Sequence, residues 1–176
     1  NHGSFKDSLD RAAAEGARFS LVMIDIDEFK QVNDAMGHQA GDRLLQEISG
    51  AIMSAGRESD RVFRYGGDEI ALLLPSTDHG GAVLVAERVR AAVESVGVPG
   101  TVWATGKLTV SVSIGVATFP DDGADPETIL LAADRACFVA KRTGHGYIAT
   151  AAQGLALAAE FKLQDPTPVD PPSVTA

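Results

Sequence analysis

Helix and strand signals alternate along this chain, broken once by two apolar runs joined through a glycine pair. That alternation predicts an α/β (α+β) sandwich: one mostly antiparallel sheet with helices packed on it, near the ferredoxin-like type. Two stretches carry most of the prediction. "RFSLVMID" (18–25) is a short, dense apolar run, suited to a central strand buried on both faces. "DRVFRY" and "EIALLLP" flank Gly66-Gly67 at the spacing of a two-residue hairpin turn that needs positive φ.

The remaining elements follow in order. "SFKDSLDRAAAEGA" (4–17) opens on Ser, runs through alanines and stops at Gly, which reads as a helix. "EFKQVNDAMG" places Phe29, Val32 and Met36 on one helical face closed by Gly37. "AGDRLLQEISGAIMSAG" (40–56) repeats the pattern with Leu44, Leu45, Ile48 and Ile52. "TDHGGAVLVAERVRAAVESVG" (77–97) is helical after its first few residues. "TVWATGKLTVSVSIGVATFP" (101–120) is rich in β-branched residues and reads as two strands about a turn at Thr105-Gly106. "DPETILLAADRACFVAKRTG" (125–144) begins with an Asp cap and Pro at the first helical position, and stops at Gly144. "GYIATA" is a short last strand. From residue 151 the sequence turns Ala-rich and then Pro-rich, so 1–150 reads as the domain and 151–176 as a disordered tail or linker.

The 176 residues suffice for one domain with a real core, and 45% hydrophobic with 22% charged residues is a soluble, globular balance. A net charge of −9 argues against nucleic-acid or anionic-membrane binding, both of which need a basic surface. It permits a phosphorylated ligand whose charge is compensated by metal ions. Cys137 is the single cysteine, which excludes an internal disulfide framework and a multi-cysteine metal site. No apolar run reaches bilayer-spanning length and nothing resembles a signal peptide. The expectation is a cytoplasmic segment without membrane contact, whatever anchors a longer protein.

Asp25 and Asp27 stand where the first buried strand runs out, in "LVMIDIDEFKQVND". A carboxylate there is costly unless hydrogen-bonded, paired or on a metal. Asp68 opens the second arm of the hairpin. If the first strand lies beside that hairpin, Asp25 and Asp68 converge at one sheet end and suit Mg²⁺, which takes a few hard oxygens plus substrate phosphates. Two plainer readings stay open: Asp after a strand is a frequent helix cap, and "GGDE" is also the composition of a solvated turn.

"RYGGDEI", preceded by "DIDEFKQVNDAMGHQAGDRLL" and followed by "TVSVSIGVATFP" and "ADRACFVAKRTG", resembles the GGDEF domain of diguanylate cyclases from about residue 1 to 150. The resemblance implies a palm-like fold with a five-stranded central sheet. It implies condensation of two GTP into cyclic di-GMP with release of pyrophosphate, two Mg²⁺ (or Mn²⁺) per active site, and a homodimer in which each copy holds one GTP. By the same resemblance Asp25 and the carbonyl of Ile26 are metal ligands. Asp68 is the second carboxylate ligand and helps deprotonate the attacking 3′-hydroxyl, with Glu69 beside it in the signature. Asn33 and Asp42 correspond to the guanine-reading pair, an assignment their donor and acceptor chemistry suits. Phe29 and Lys30 contribute main-chain N–H groups to a phosphate cradle at a helix start, and Lys141 matches the phosphate-binding lysine. Arg57 and Asp60 form an R-x-x-D pattern which, with Arg88, matches the family's inhibitory product site.

The chain departs from the family pattern in places. Ile70 replaces the usual Phe, and His145 stands where an arginine would touch the terminal phosphates, which brings a group titrating near neutrality. The D-x-L-T segment that normally lies just upstream is missing, so the expectation is a domain cut from a longer protein with a sensory or receiver domain ahead of it. The competing readings are a catalytically weak module that binds GTP or cyclic di-GMP and regulates an attached domain, and a palm-type transferase for another nucleotide.

Overall fold

The computed structural model describes residues 2–96 and 110–164. Five strands form one sheet in the order β2-β3-β1-β4-β5. Strand β1 (Phe19–Ile26) is central, between β3 (Glu69–Pro75) and β4 (Val112–Phe119), and antiparallel to both. On one edge β2 (Arg61–Arg64) pairs antiparallel with β3; on the other β5 (Ile148–Thr150) pairs parallel with β4. The mostly antiparallel, five-stranded α/β sandwich expected from the sequence is the observed architecture.

The pleat sorts side chains to the two faces by residue parity. Even-numbered Val22, Ile24, Ile26, Ile70, Leu72, Leu74, Val112, Ile114 and Val116 share one core with α2 (Phe29–Met36), α3 (His38–Ala55) and α4 (His79–Glu94). Odd-numbered Phe19, Leu21, Met23, Ala71, Leu73, Ala117 and Phe119 share another with α1 (His2–Ala14) and α5 (Pro126–Thr143). A strand buried on both sides can therefore be apolar throughout, as β1 is. On the α1 face, Phe5 meets Phe63 and Tyr65 edge-on, each at 5.4 Å between ring centroids.

Helix α5 lies unusually close to the sheet. Gly115 of β4 is odd-numbered and would point its side chain at α5, but the helix backbone is already there. A Cβ at Gly115 would run into the Ala133 carbonyl oxygen and the Cys137 amide nitrogen and come within 2.8 Å of the Cys137 Cα. Cys137 is buried, as its helical face suggested, and its thiol lies 3.4 Å from the Ser113 carbonyl oxygen. Helix α5 starts with a reciprocal capping box between Asp125 and Thr128, with Pro126 at the first helical position.

Two expectations are corrected. The glycine pair is not a two-residue turn with positive φ: residues 65–68 join β2 to β3, and neither Gly66 nor Gly67 has φ in the left-handed range. What Gly66 provides is room, since a Cβ there would collide with the Glu69 carboxylate. Residues 151–164, expected to begin a disordered tail, form helix α6 (Ala151–Gln164) directly after β5. The segment lacks apolar periodicity, and packing on α5 replaces that signal: buried Gly154 sits 2.9 Å, measured from its would-be Cβ, from the Ala136 Cα. The turn at Thr105-Gly106, the strand before it and residues 165–176 lie outside the described residues.

Candidate active site

The strand register builds the site. Asp25, last but one in β1, is flanked across the sheet by Glu69 of β3 and Ser113 of β4. All three are odd-numbered and lie on the α5 side. The hairpin connection brings Asp68 to the same end, where the Ile26 amide donates to the Asp68 carbonyl oxygen at 3.1 Å. Lys141, one turn beyond Cys137 on α5, places Nζ 2.7 and 2.8 Å from the two oxygens of Asp25. The structure thus collects Asp25, Ile26, Asp68, Glu69 and Lys141 at one sheet end.

The electrostatics are those of an acidic pocket holding one cation. Burial pushes the Asp25 carboxyl above the ordinary aspartate range; Lys141 pulls it back in part, and the charges of Asp68 and Asp27 push it up again. Glu69 is also raised, by burial first and then by Asp25, Asp134 and Asp68. Burial acts to lower the Lys141 ammonium, but its bond and attraction to Asp25 outweigh this and hold it above the usual lysine value. The Cys137 thiol, buried beneath these carboxylates, is pushed up to about 12.

Asp27 has a different task. It is buried, and its carboxylate accepts from the Ser111 and Ser113 hydroxyls, each at 2.6 Å, and from the Gly146 amide at 3.0 Å. It ties the end of β1 to the start of β4 and to the turn before β5. Of the ways to stabilise a carboxylate at a strand end, Asp27 uses hydrogen bonds. Asp27 precedes the cap position of α2, which Glu28 occupies at φ 56° and ψ 20° without a side-chain cap bond. Phe29 is buried in the core, so it would offer only its backbone to a phosphate, whereas Lys30 is exposed.

Asn33 leans over Gly41, which lacks a Cβ because the Asn33 amide fills that space. Asp42, the next residue of α3, lines a cleft of about 530 Å³ with Gln46, Ser49, Arg64 and Ile70. The guanine-reading candidates are therefore neighbours at the α2–α3 junction. Arg57 and Asp60 share a cleft of about 280 Å³, and the Asp60 carboxylate accepts from the Arg57 amide at 2.7 Å. The R-x-x-D segment is thus a self-bonded turn with its guanidinium available. Arg88 stands exposed on α4 and lines neither of these clefts.

Sequence reasoning passed over Arg64, whose guanidinium donates to the carbonyls of Gly66 and Gly67 at 3.3 and 2.8 Å and so fixes the turn carrying Asp68. It also passed over Asp134, seven residues before Lys141 on α5 and electrostatically coupled to Glu69 and Tyr65. The helical stripe Asp134–Cys137–Lys141 was the available signal. Among the described residues, no group of three or more His, Cys, Asp and Glu side chains forms a ready-made metal cluster. Nor, among them, is any helix long and apolar enough to cross a membrane.

The chain resembles known proteins along most of its length. The family model for the GGDEF domain of diguanylate cyclases matches residues 1–146. Diguanylate cyclase DosC of Escherichia coli is 37% identical over 145 residues, covering 82% of this chain and 31% of DosC. Response regulator PleD of Caulobacter vibrioides is 38% identical over 148 residues, 83% of this chain and 32% of PleD. The chain thus spans about a third of the length of these curated relatives. Among solved structures, the isolated GGDEF domain of YfiN (TpbB) from Pseudomonas aeruginosa superposes with a TM-score of 0.79 at 33% identity, covering 94% of this chain and 95% of that one. The GGDEF domain of DgcB from Caulobacter crescentus, solved in complex with c-di-GMP, gives 0.73 at 31% identity, covering 86% and 91%. By the extent of the family model and the identity of these relatives, this chain belongs to the GGDEF family of diguanylate cyclases.

Proposed function

We propose that this domain is a diguanylate cyclase that condenses two GTP into cyclic di-GMP, working as a homodimer in which each copy holds one GTP. The observation that carries the reading is the gathering at one sheet end of Asp25, paired with Lys141 and facing Glu69 across the sheet, and of Asp68, whose carbonyl bonds the neighbouring Ile26 amide. Two carboxylates and the Ile26 carbonyl are hard oxygen donors, the set that Mg²⁺ or Mn²⁺ takes alongside substrate phosphates. Two such ions per site, when bound, would polarise the attacking hydroxyl and neutralise charge on the phosphate.

The chain's own residues supply the rest. Asn33 and Asp42 hold the guanine edge. The Phe29 and Lys30 amides at the uncapped start of α2 receive the β- and γ-phosphates, and Lys141 adds a point charge there. Asp68 accepts the proton of the 3′-hydroxyl of one GTP as its oxygen bonds to the α-phosphorus of the other. The bond from that phosphorus to the bridging oxygen breaks, and pyrophosphate leaves. A second round in the opposite sense closes the ring. Glu69, whose carboxyl is raised, neighbours the same hydroxyl. Arg57 and Asp60 form the inhibitory product site, with Arg88, outside their cleft on α4, as a further arginine for the product. A regulatory domain ahead of this one brings two copies together.

A second reading is favoured by one observation: His145 stands exposed where the family carries an arginine. Under it the domain binds GTP or cyclic di-GMP and regulates an attached domain with little turnover. Incubating the purified domain with GTP and Mg²⁺, chromatographing the products and measuring GTP binding alongside separates the two. Cyclic di-GMP and pyrophosphate are expected, and Asp68→Ala abolishes both while keeping the fold. GTP binding without product, in a domain shown to be dimeric, selects the regulatory module.

A further inference from the structure

We propose that Lys141 is the resident counter-cation of the metal site: it holds Asp25 until a divalent ion takes that carboxylate, and is then free to meet the triphosphate. The inference rests on the reading of Asp25 as a metal ligand and goes beyond it by giving the lysine two successive partners. Nζ engages both Asp25 oxygens, at 2.7 and 2.8 Å, so ammonium and divalent ion compete for the same atoms. Asp25 is largely shielded, at 14% side-chain exposure, whereas Lys141 is 47% exposed. The carboxylate therefore needs a permanent cationic partner, while the lysine loses little by letting go.

The surrounding structure permits the exchange without moving α5. Its backbone is seated on Gly115, so the helix stays in place. The flexible four-carbon stem of Lys141 can carry the charge away from Asp25 on its own. Asp25 is then never left buried and unpaired, because one cation replaces another. Seen from the nucleotide, the lysine becomes available only when the divalent ion has arrived. Divalent ion and triphosphate therefore favour each other beyond their direct contact, and the coupling is reciprocal.

The test uses Mn²⁺ alone, without nucleotide, with free ion followed by electron paramagnetic resonance. Lys141→Met is expected to bind Mn²⁺ roughly threefold to tenfold more tightly than the wild type, the scale of a partly shielded ion pair removed as a competitor. Arg142→Met removes the same charge one residue further along α5 but leaves the Asp25 pair intact, and is expected to change affinity by less than about twofold. Equal or weaker Mn²⁺ binding by Lys141→Met overturns the proposal. So does an equal gain in both variants, which assigns the effect to general charge. Asp25→Asn tests the underlying reading separately: if it binds Mn²⁺ as well as the wild type, Asp25 is no ligand, and the metal assignment falls along with the exchange.

Discussion

Replacing Gly115 by alanine adds one methyl group at the place where α5 sits closest to the sheet. The new Cβ meets helix backbone, the Ala133 carbonyl oxygen and the Cys137 amide among its neighbours, with the Cys137 Cα at 2.8 Å. No side chain can rotate out of the way. Ordinary contact is restored only if α5 lifts by on the order of 1 Å, which forfeits dispersion along Ile129, Ala133 and Cys137. Overpacking of this kind costs about 1–3 kcal/mol, and a backbone collision belongs at the upper end. For a domain of this size about 3 kcal/mol lowers Tm by roughly 6–12 °C. Thermal unfolding followed by circular dichroism reads this directly. Gly67→Ala is the matched control, because a Cβ there meets nothing within 4 Å and its φ is not left-handed. Its stability should stay within about 0.5 kcal/mol of the wild type. A Gly115→Ala domain melting within about 2 °C of the wild type, or no worse than Gly67→Ala, would refute the claim that close packing at Gly115 seats the helix.

Three further outcomes are expected. The folded state holds the Glu69 proton more tightly than the unfolded chain does, so stability is lost as pH rises from the ordinary value of 4.5 through the raised folded value. Glu69→Gln removes that loss: urea midpoints should favour the variant at about pH 7 and converge with the wild type at about pH 4, and a wild type that gains on the variant as pH rises would reverse the sign. Asp27→Ala strands two serine hydroxyls and the Gly146 amide; a loss of about 3 kcal/mol is expected in equilibrium unfolding, and a change below about 1 kcal/mol would show that water replaces the carboxylate. Arg57→Ala should weaken inhibition of turnover by added cyclic di-GMP, and superimposable inhibition curves would remove Arg57 from a product site.

The fold was legible where one local signal sufficed. The apolar run of β1 revealed a strand buried on both faces, and the Asp-Pro start and Gly144 stop of α5 marked a helix, because these signals lie within the element itself. The expected meeting of Asp25 and Asp68 rested on one assumption, that β1 lies beside the hairpin. Strand β1 does pair with β3, and the register seats Glu69 opposite Asp25 while Asp68 bonds the next residue, Ile26. The ion pair between Lys141 and Asp25, 116 residues apart, has no local trace. Asp27 looked like Asp25 in sequence, and its partners Ser111 and Ser113 lie just before and within a strand far along the chain. The glycine pair misled because Gly-Gly signals unusual φ, whereas Gly66 leaves the room that the Glu69 carboxylate occupies. Helix α6 escaped notice because its surroundings, rather than its own periodicity, hold it in place.

The uncapped start of α2, just past Asp27, also has a dynamic consequence. Helix α2 spans eight residues and begins without a side-chain cap, so it lacks the contact that most restrains fraying of a first turn. Its leading amides should exchange with solvent deuterium far faster than those of β1 only a few residues earlier. A triphosphate settling on that turn would supply the missing acceptors. Ligand binding would then register as slowed exchange confined to the start of α2, next to a strand that hardly changes.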